Sequence, residues 1–286
     1  MRGKKMQRRK DEGSMLPEAA TITDAQADRV IRTVQILGSH ISLADIPQIM
    51  FAVDRWIAAP GDYKTCRQLV VTGFHGIWEA HKKPDFKAIL NSADLWVPDG
   101  IAPVWIARIK GMRNVRRTPG VEIMQAFFEM ANKKGYSSFF YGDTEETLSG
   151  LRENLEKKYP GHKVAGTYSP PFRPLTPEED EAVVKMINDA KPDVLWVGLG
   201  LPKQDRWIYE HKDRLRVPVA AGVGAAFLFL SGRVKRVPEW VGRSGLEWLW
   251  RFLQEPKKLW RRDLIEGPQF VWHVFLELIG IRKEER

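Results

Sequence analysis

The 286-residue sequence is short of cysteine, of long apolar runs and of the commonest nucleotide-binding signatures, and each shortage removes a class of protein. Cys66 is the only cysteine, which excludes a disulfide framework and a multi-cysteine zinc site and points to a reducing compartment. The longest nearly uninterrupted apolar run, Val217 to Leu230, contains Pro218, Gly222 and Gly224 and is shorter than the roughly 20 residues that a spanning helix needs. The basic N-terminus is followed by Asp11, Glu12 and Gly13 instead of an apolar stretch, so the expectation is a cytoplasmic chain without a secretory signal. There is no P-loop, and Gly198-Leu199-Gly200 lacks the third glycine of a dinucleotide site, which disfavours triphosphate hydrolysis and nicotinamide chemistry. The six histidines show no metal-ligand spacing, so neither metal nor cofactor is expected. No repeat of 20 to 50 residues is present, which excludes a solenoid.

What the sequence does have is enough apolar residue, 43%, to bury a core, and a net charge of +9. Residues 1–12 hold six basic and two acidic side chains, and residues 233–262 hold nine and three, which leaves the rest close to neutral. The positive charge is therefore expected in two appendages. The second of them also carries Trp240, Trp248, Trp250 and Trp260, a pairing that suits an anionic membrane surface better than a nucleic acid.

From residue 33 onward, short β-branched runs alternate with amphipathic stretches. Strands are expected at 34–37, 69–72, 95–97, 138–141, 163–168, 194–197 and 217–221, and helices at 42–57, 76–91, 101–109, 145–158, 176–190 and 203–211. That order predicts a layered α/β fold with a largely parallel sheet. Asp143 with Glu146 and Thr176 with Glu179 read as capping boxes. The expected organisation is a basic tail over 1–20, an α/β domain over 21–232 and an appendage over 233–286.

Ligands of open α/β sheets bind beyond the carboxyl ends of the strands. Those positions here are rich in glycine and lie just before helices: Thr72-Gly73-Phe74-His75-Gly76, Pro98-Asp99-Gly100, Tyr141-Gly142-Asp143, the Gly198 to Asp205 loop and Gly222-Val223-Gly224. Helix N-termini favour phosphate, so a phosphate-bearing ligand is the expectation, although any one such loop is ordinary turn chemistry.

The set Pro98-Asp99-Gly100, Arg117-Thr118-Pro119-Gly120-Val121-Glu122, Gly198-Leu199-Gly200-Leu201-Pro202-Lys203-Gln204-Asp205-Arg206-Trp207, Gly222 to Phe227, Gly232 to Pro238 and Leu246 to Pro256 resembles the WecG/TagA/CpsF glycosyltransferases, glycosyltransferase family twenty-six. The resemblance spans roughly residues 33–265. It implies a Rossmann-like fold and inverting, metal-independent transfer of a hexose or N-acetylhexosamine, of ManNAc type or other, from a UDP-sugar to a polyprenyl-diphosphate-linked sugar at the inner membrane face. It also implies Asp99 as the base; a helix N-cap for Ile101 onward is the competing role. Arg117 matches the family's active-site arginine, suited to a diphosphate, and Thr72 a strand-end contact to sugar or phosphate. Gln204 is a candidate donor contact, as are Tyr141, Gly142, Gly198, Gly200, Gly222 and Gly224 along the same edge.

Two positions depart from the family's usual pattern: Phe74 stands where Asn is common, and Leu228 where Asp is common. Phe74 could stack on a sugar face. In the appendage, Leu246 and Leu249 are expected to pack on the body, while the Trp-plus-Arg cluster is expected to meet the membrane, with Arg251 or Arg261 reaching lipid phosphates. The apolar stretch Phe270 to Ile281 extends that contact or forms an oligomer interface. Two rival readings are a UDP-sugar epimerase working without a lipid acceptor and a non-catalytic membrane-binding module.

Overall fold

The structure, a computed structural model, describes residues 31–59, 66–234, 247–254 and 256–280. Six parallel strands form one sheet in the order β4-β3-β8-β7-β5-β6: β3 (Arg67–Thr72), β4 (Leu95–Pro98), β5 (Ser137–Gly142), β6 (Lys163–Tyr168), β7 (Val194–Gly198) and β8 (Val219–Gly222). Helices flank it: α1 (Ile46–Ala58), α2 (Phe74–Lys82), α3 (Pro84–Asn91), α4 (Ile101–Ile109), α5 (Gly120–Lys134), α6 (Glu145–Lys158), α7 (Pro177–Ala190), α8 (Lys203–His211) and the short α9 (Ala226–Leu230). Beyond these, α10 (Glu247–Gln254) and α11 (Pro256–Trp260) lead into a π-helical turn, Arg261–Glu266, and α12 (Gly267–Leu278). The expected layered α/β architecture is what forms.

The period of two along each strand sorts the core onto two faces. Leu69, Val71, Val97, Phe140, Trp196 and Ala221 pack with Ile49 of α1, Phe127 and Phe128 of α5 and Leu151 of α6. On the opposite face, Val70 and Trp96 meet α2, α3 and α4, while Phe139, Tyr141, Leu195 and Ala220 meet α7 and α8. Both faces being covered explains why these strands read as apolar runs without alternation.

Three local differences from the sequence reading have physical reasons. Ser42, expected to open a helix, instead ends strand β2 (Ser39–Ser42), which forms a hairpin with β1 (Thr33–Ile36) through a turn at Leu37 and Gly38, both at positive φ, and the helix starts at Ile46. The expected helix 76–91 is two helices, because Pro84 forces Lys83 out of the helical region, to φ −129°, ψ 97°. The cap of α6 is Thr144, whose side chain accepts from the Thr147 N–H; Asp143, at φ 60°, instead accepts from the Thr144 N–H. Thr176 with Glu179 does form the expected capping box.

Candidate active site

Because all six strands are parallel, their carboxyl ends share one edge, and hydrogen bonds fix the loops there. β3 and β4 are in register at Thr72 and Pro98, and the Asp99 N–H donates to the Thr72 carbonyl at 3.2 Å. Thr118 donates to the Pro98 carbonyl through its N–H at 2.7 Å and its hydroxyl at 3.3 Å. The segment carrying the half-buried Arg117 is thereby stitched beside the strand end. The same stitch brings the first N–H of α5, that of Gly120, onto Asp99 Oδ1 at 3.1 Å. Asp99 is therefore not the cap of the helix that follows it, which has Gly100 at that position and no side-chain cap. Its carboxylate is oriented by the start of a different helix and stays half-buried at the sheet edge.

Besides the short α9 behind Ala225, three helices open onto this edge without a capping side chain: α2 behind Gly73, α4 behind Gly100 and α8 behind Pro202. Their leading N–H groups and dipoles favour negative charge, and the Gly73 and Gly100 loops lie against each other. Thr72 is buried, with its hydroxyl turned onto Gly76 of α2, where even a Cβ would come within 2.3 Å of Oγ1.

Gln204 is buried rather than solvated, and its side-chain carbonyl accepts from the Gly224 N–H at 3.0 Å, so it holds the β8 loop in place. A Cβ at Gly222 would lie 2.7 Å from Asp205 Oδ1 and 2.9 Å from Gln204 Nε2. Gly198 and Gly142 are equally crowded, by the Phe227 ring and by the Gly198 backbone, so close packing accounts for all three glycines. Gly200, at φ +76°, has open space beside it. Tyr141 is 2% exposed, with its ring 4.7 Å from Trp207 and 6.0 Å from Tyr168, and burial pushes its phenol far above the usual range. It is a core residue between the sheet and α8, and its ring does not open onto the edge.

Sequence reasoning missed Asp205. Its carboxyl is wholly buried beside the Gln204 amide, and burial pushes its pKa up to about 7, against the pull of hydrogen bonds from that amide and from its own backbone N–H. Nothing in the sequence distinguishes it from a solvated acid in a helix's first turn. A polar cleft lined by Gln35, His40, Asn91 and Asp94 lies at the opposite, amino end of β4, and none of the expected site residues lines it.

The geometry thus unites Asp99, Thr72, Arg117 and the uncapped helix starts at one edge. The family model for the WecG/TagA/CpsF glycosyl transferases matches residues 34–284. The chain belongs to that family. Among curated proteins it is 32% identical over 198 residues, 69% of this chain and 75% of the relative, to the N-acetylglucosaminyldiphosphoundecaprenol N-acetyl-beta-D-mannosaminyltransferase of Bacillus subtilis (strain 168). It is 30% identical over 186 residues, 65% of this chain and 70% of the relative, to the enzyme of the same name from Staphylococcus aureus (strain MW2). The protein is a glycosyltransferase, which sets aside the epimerase and the non-catalytic module.

Of the two positions that depart from the family's usual pattern, Phe74 is explained by a contact remote in sequence. Its ring packs 5.6 Å from that of Phe270 in α12, so the half-buried residue joins the appendage to the loop after β3. Leu228 is half-buried in α9, and nothing in the structure explains its replacing an acid. The docking of α12 continues with His81 to His273 at 3.1 Å and Lys82 to Glu266 at 3.2 Å. Glu277 also accepts from the Leu37 N–H at 2.6 Å and from Lys110.

His75, Glu79 and Glu266 come close enough to hold a cation, a grouping invisible in the sequence because it bridges two elements. Lys82 already bonds both carboxylates, so the cluster carries its own countercharge. Burial pushes the His75 imidazole below its usual range, against the pull of Glu266.

Arg261 is exposed on the π-helical turn that ends at Glu266, beside α2. Arg251 lies in α10, but its side chain is outside the described residues, as are Leu246, Ser244 and Trp240. Leu249, expected to pack on the body, is 37% exposed, like Trp250. No helix among the described residues is long and apolar enough to cross a membrane.

Proposed function

We propose that this glycosyltransferase moves a hexose or N-acetylhexosamine from a UDP-sugar to a polyprenyl-diphosphate-linked sugar, with inversion, at the inner face of the cell membrane. The observation that carries the reading is the Asp99 carboxylate held by the Gly120 N–H beside the uncapped starts of α2 and α4. The acceptor hydroxyl attacks the anomeric carbon from the face opposite UDP and gives its proton to Asp99. The bond from that carbon to the UDP oxygen breaks, and the departing diphosphate takes the electron pair. Its added charge is met by Arg117 and by the N–H groups at the starts of α2, α4 and α8, which act without reorganising.

The names of the relatives support N-acetylmannosamine as one candidate sugar and N-acetylglucosamine on a diphospholipid as one acceptor. Phe74 and Leu228, where the family more often carries polar groups, keep the donor choice broader than that. The exposed apolar and basic side chains of the appendage support peripheral docking on an anionic membrane: Trp250, Leu253, Trp260, Leu264, Trp272 and Arg261.

Release of UDP from a panel of UDP-hexoses and UDP-N-acetylhexosamines, with and without a polyprenyl-diphosphate-sugar acceptor, tests the reading. Acceptor-dependent release is expected, and Asp99→Asn should lower kcat by roughly 10²- to 10⁴-fold, the usual worth of a general base, with an unchanged melting curve. Release that ignores the acceptor, or a near-normal rate in Asp99→Asn, would overturn it.

A further inference from the structure

Helix α4 starts two residues after Asp99 and buries Val104, Ile106 and Ala107, yet leaves Trp105 49% and Ile109 68% exposed. These two are four residues apart and share one helical face, about 6 and 12 Å along the axis from the catalytic end. Arg108 beside them is exposed, and so are Arg113 and Arg116 in the loop that follows. Between Asp99 and Glu122 the sequence has five basic side chains and no acidic one. A neutral sum concealed a basic segment because acidic residues such as Glu145, Glu146, Glu178 and Glu179 are segregated into the first turns of α6 and α7.

The inner faces of α4 and α12 share one core, in which Val104 and Ala107 join Phe270 and Val274. Lys110, just past α4, donates to Glu277 of α12 and, at 2.6 Å, to the Gln35 carbonyl. Outside that core, α12 exposes Val271, Trp272 and Phe275. A single exposed Trp means little, but a group of large apolar side chains beside charge of one sign marks an interaction surface. Trp and Ile next to arginines, in a segment with no acid of its own, complement an anionic interface in which rings enter the headgroup layer and guanidinium groups meet phosphates.

We propose that the outer face of α4, Trp105 and Ile109 with Arg108, Arg113 and Arg116, is a second docking surface for an anionic phospholipid bilayer, supplied by the catalytic body itself. The inference rests on the reading of the enzyme as one that serves a lipid-linked acceptor. Docking through α4 as well as through the appendage holds the Asp99 edge at a fixed, short height above the headgroups.

The test compares the full-length wild type with Trp105→Ser/Ile109→Ser and with Trp272→Ser/Phe275→Ser. Each is measured for partition onto vesicles of phosphatidylglycerol and phosphatidylcholine, for turnover of a long-chain acceptor in those vesicles and of a short-chain, water-soluble one, and for solution mass. The α4 variant should bind vesicles about tenfold more weakly and slow on the long-chain acceptor, while the short-chain rate and the mass stay unchanged. Unaltered partition in the α4 variant would overturn the proposal, as would equal losses on both acceptors or a change in mass, which would mark a surface between copies of the chain. A wild type that turns over the soluble acceptor but ignores vesicles would overturn it while leaving the transferase reading standing. A wild type inactive on both acceptors would instead be the failure of that reading.

Discussion

The two halves of one sheet edge have been finished differently. After β5 and β6 the helices are closed by their own side chains, Thr144 on the Thr147 N–H and Thr176 on the Glu179 N–H, and both first turns are acidic. After β3, β4 and β7 the helices start behind Gly73, Gly100 and Pro202 with no side-chain cap, and two of those first turns contain no acid. Capping removes a helix start as an anion site by occupying its N–H groups; a glycine in that place leaves them for a ligand. The open half is also where Asp99 and Arg117 sit, so under the proposed mechanism the difference separates a structural half of the edge from a chemical one.

The largest effect expected from breaking this division, short of removing the base itself, is on Arg117. Arg117→Ala should lower kcat/KM by about 10²-fold, through loss of charge stabilisation on the departing diphosphate. Arg173→Ala, which removes an exposed pair with Glu179 at 2.6 Å in the closed half, should leave kcat/KM unchanged. Steady-state kinetics of the two variants side by side check this, and equal losses would erase the distinction between the halves.

A second effect belongs to Asp205, wholly buried beneath the open half. Its folded pKa of about 7 lies above the ordinary carboxyl value, so between pH 4 and 7 the folded state holds the extra proton. Stability from this group therefore falls as pH rises from about 4 to about 7 and levels off above that. His162, pushed down to about 4 by burial, has the opposite sign: its contribution is present above about 6.5 and is lost as pH falls toward 4. Denaturant melts of wild type and Asp205→Asn across pH 4 to 8 isolate the first effect, since His162 is common to both. The variant should gain on the wild type with rising pH, up to on the order of 4 kcal/mol at pH 8. Parallel curves would mean that Asp205 is not held in its neutral form.

Much of this fold was legible in the sequence because its strands and helices are strongly patterned locally; helix 101–109, strand 163–168 and helix 203–211 match the structure residue for residue. The hairpin strand Ser39–Ser42 was not, since four residues carry too little periodicity to separate a strand from the approach to a helix. The motifs around Asp99, Arg117 and Gln204 were also readable, but their contacts were not. That Asp99 meets Gly120, that Gln204 holds Gly224 and that Phe74 meets Phe270 are facts of pairs separated by 20 residues or more, which no local pattern encodes. Net charge misled for a related reason: it sums over elements that the fold keeps apart.

The smallest expected effect is the most direct measure of the central claim that the uncapped half of the edge receives the diphosphate. Gly100 has extended φ and ψ of −105° and 173°, and a side chain there would meet only Gly73 Cα, at 3.7 Å, so Gly100→Ser can install a cap without strain. Thr176→Ala removes a cap from the other half at a cost of about 1 kcal/mol in stability. Calorimetric titration of UDP into wild type and both variants should show affinity lowered about tenfold by Gly100→Ser, with melting temperature kept or raised, and unchanged by Thr176→Ala despite its lower melting temperature. UDP affinity that is indifferent to Gly100→Ser, or that follows Thr176→Ala instead, would contradict the account.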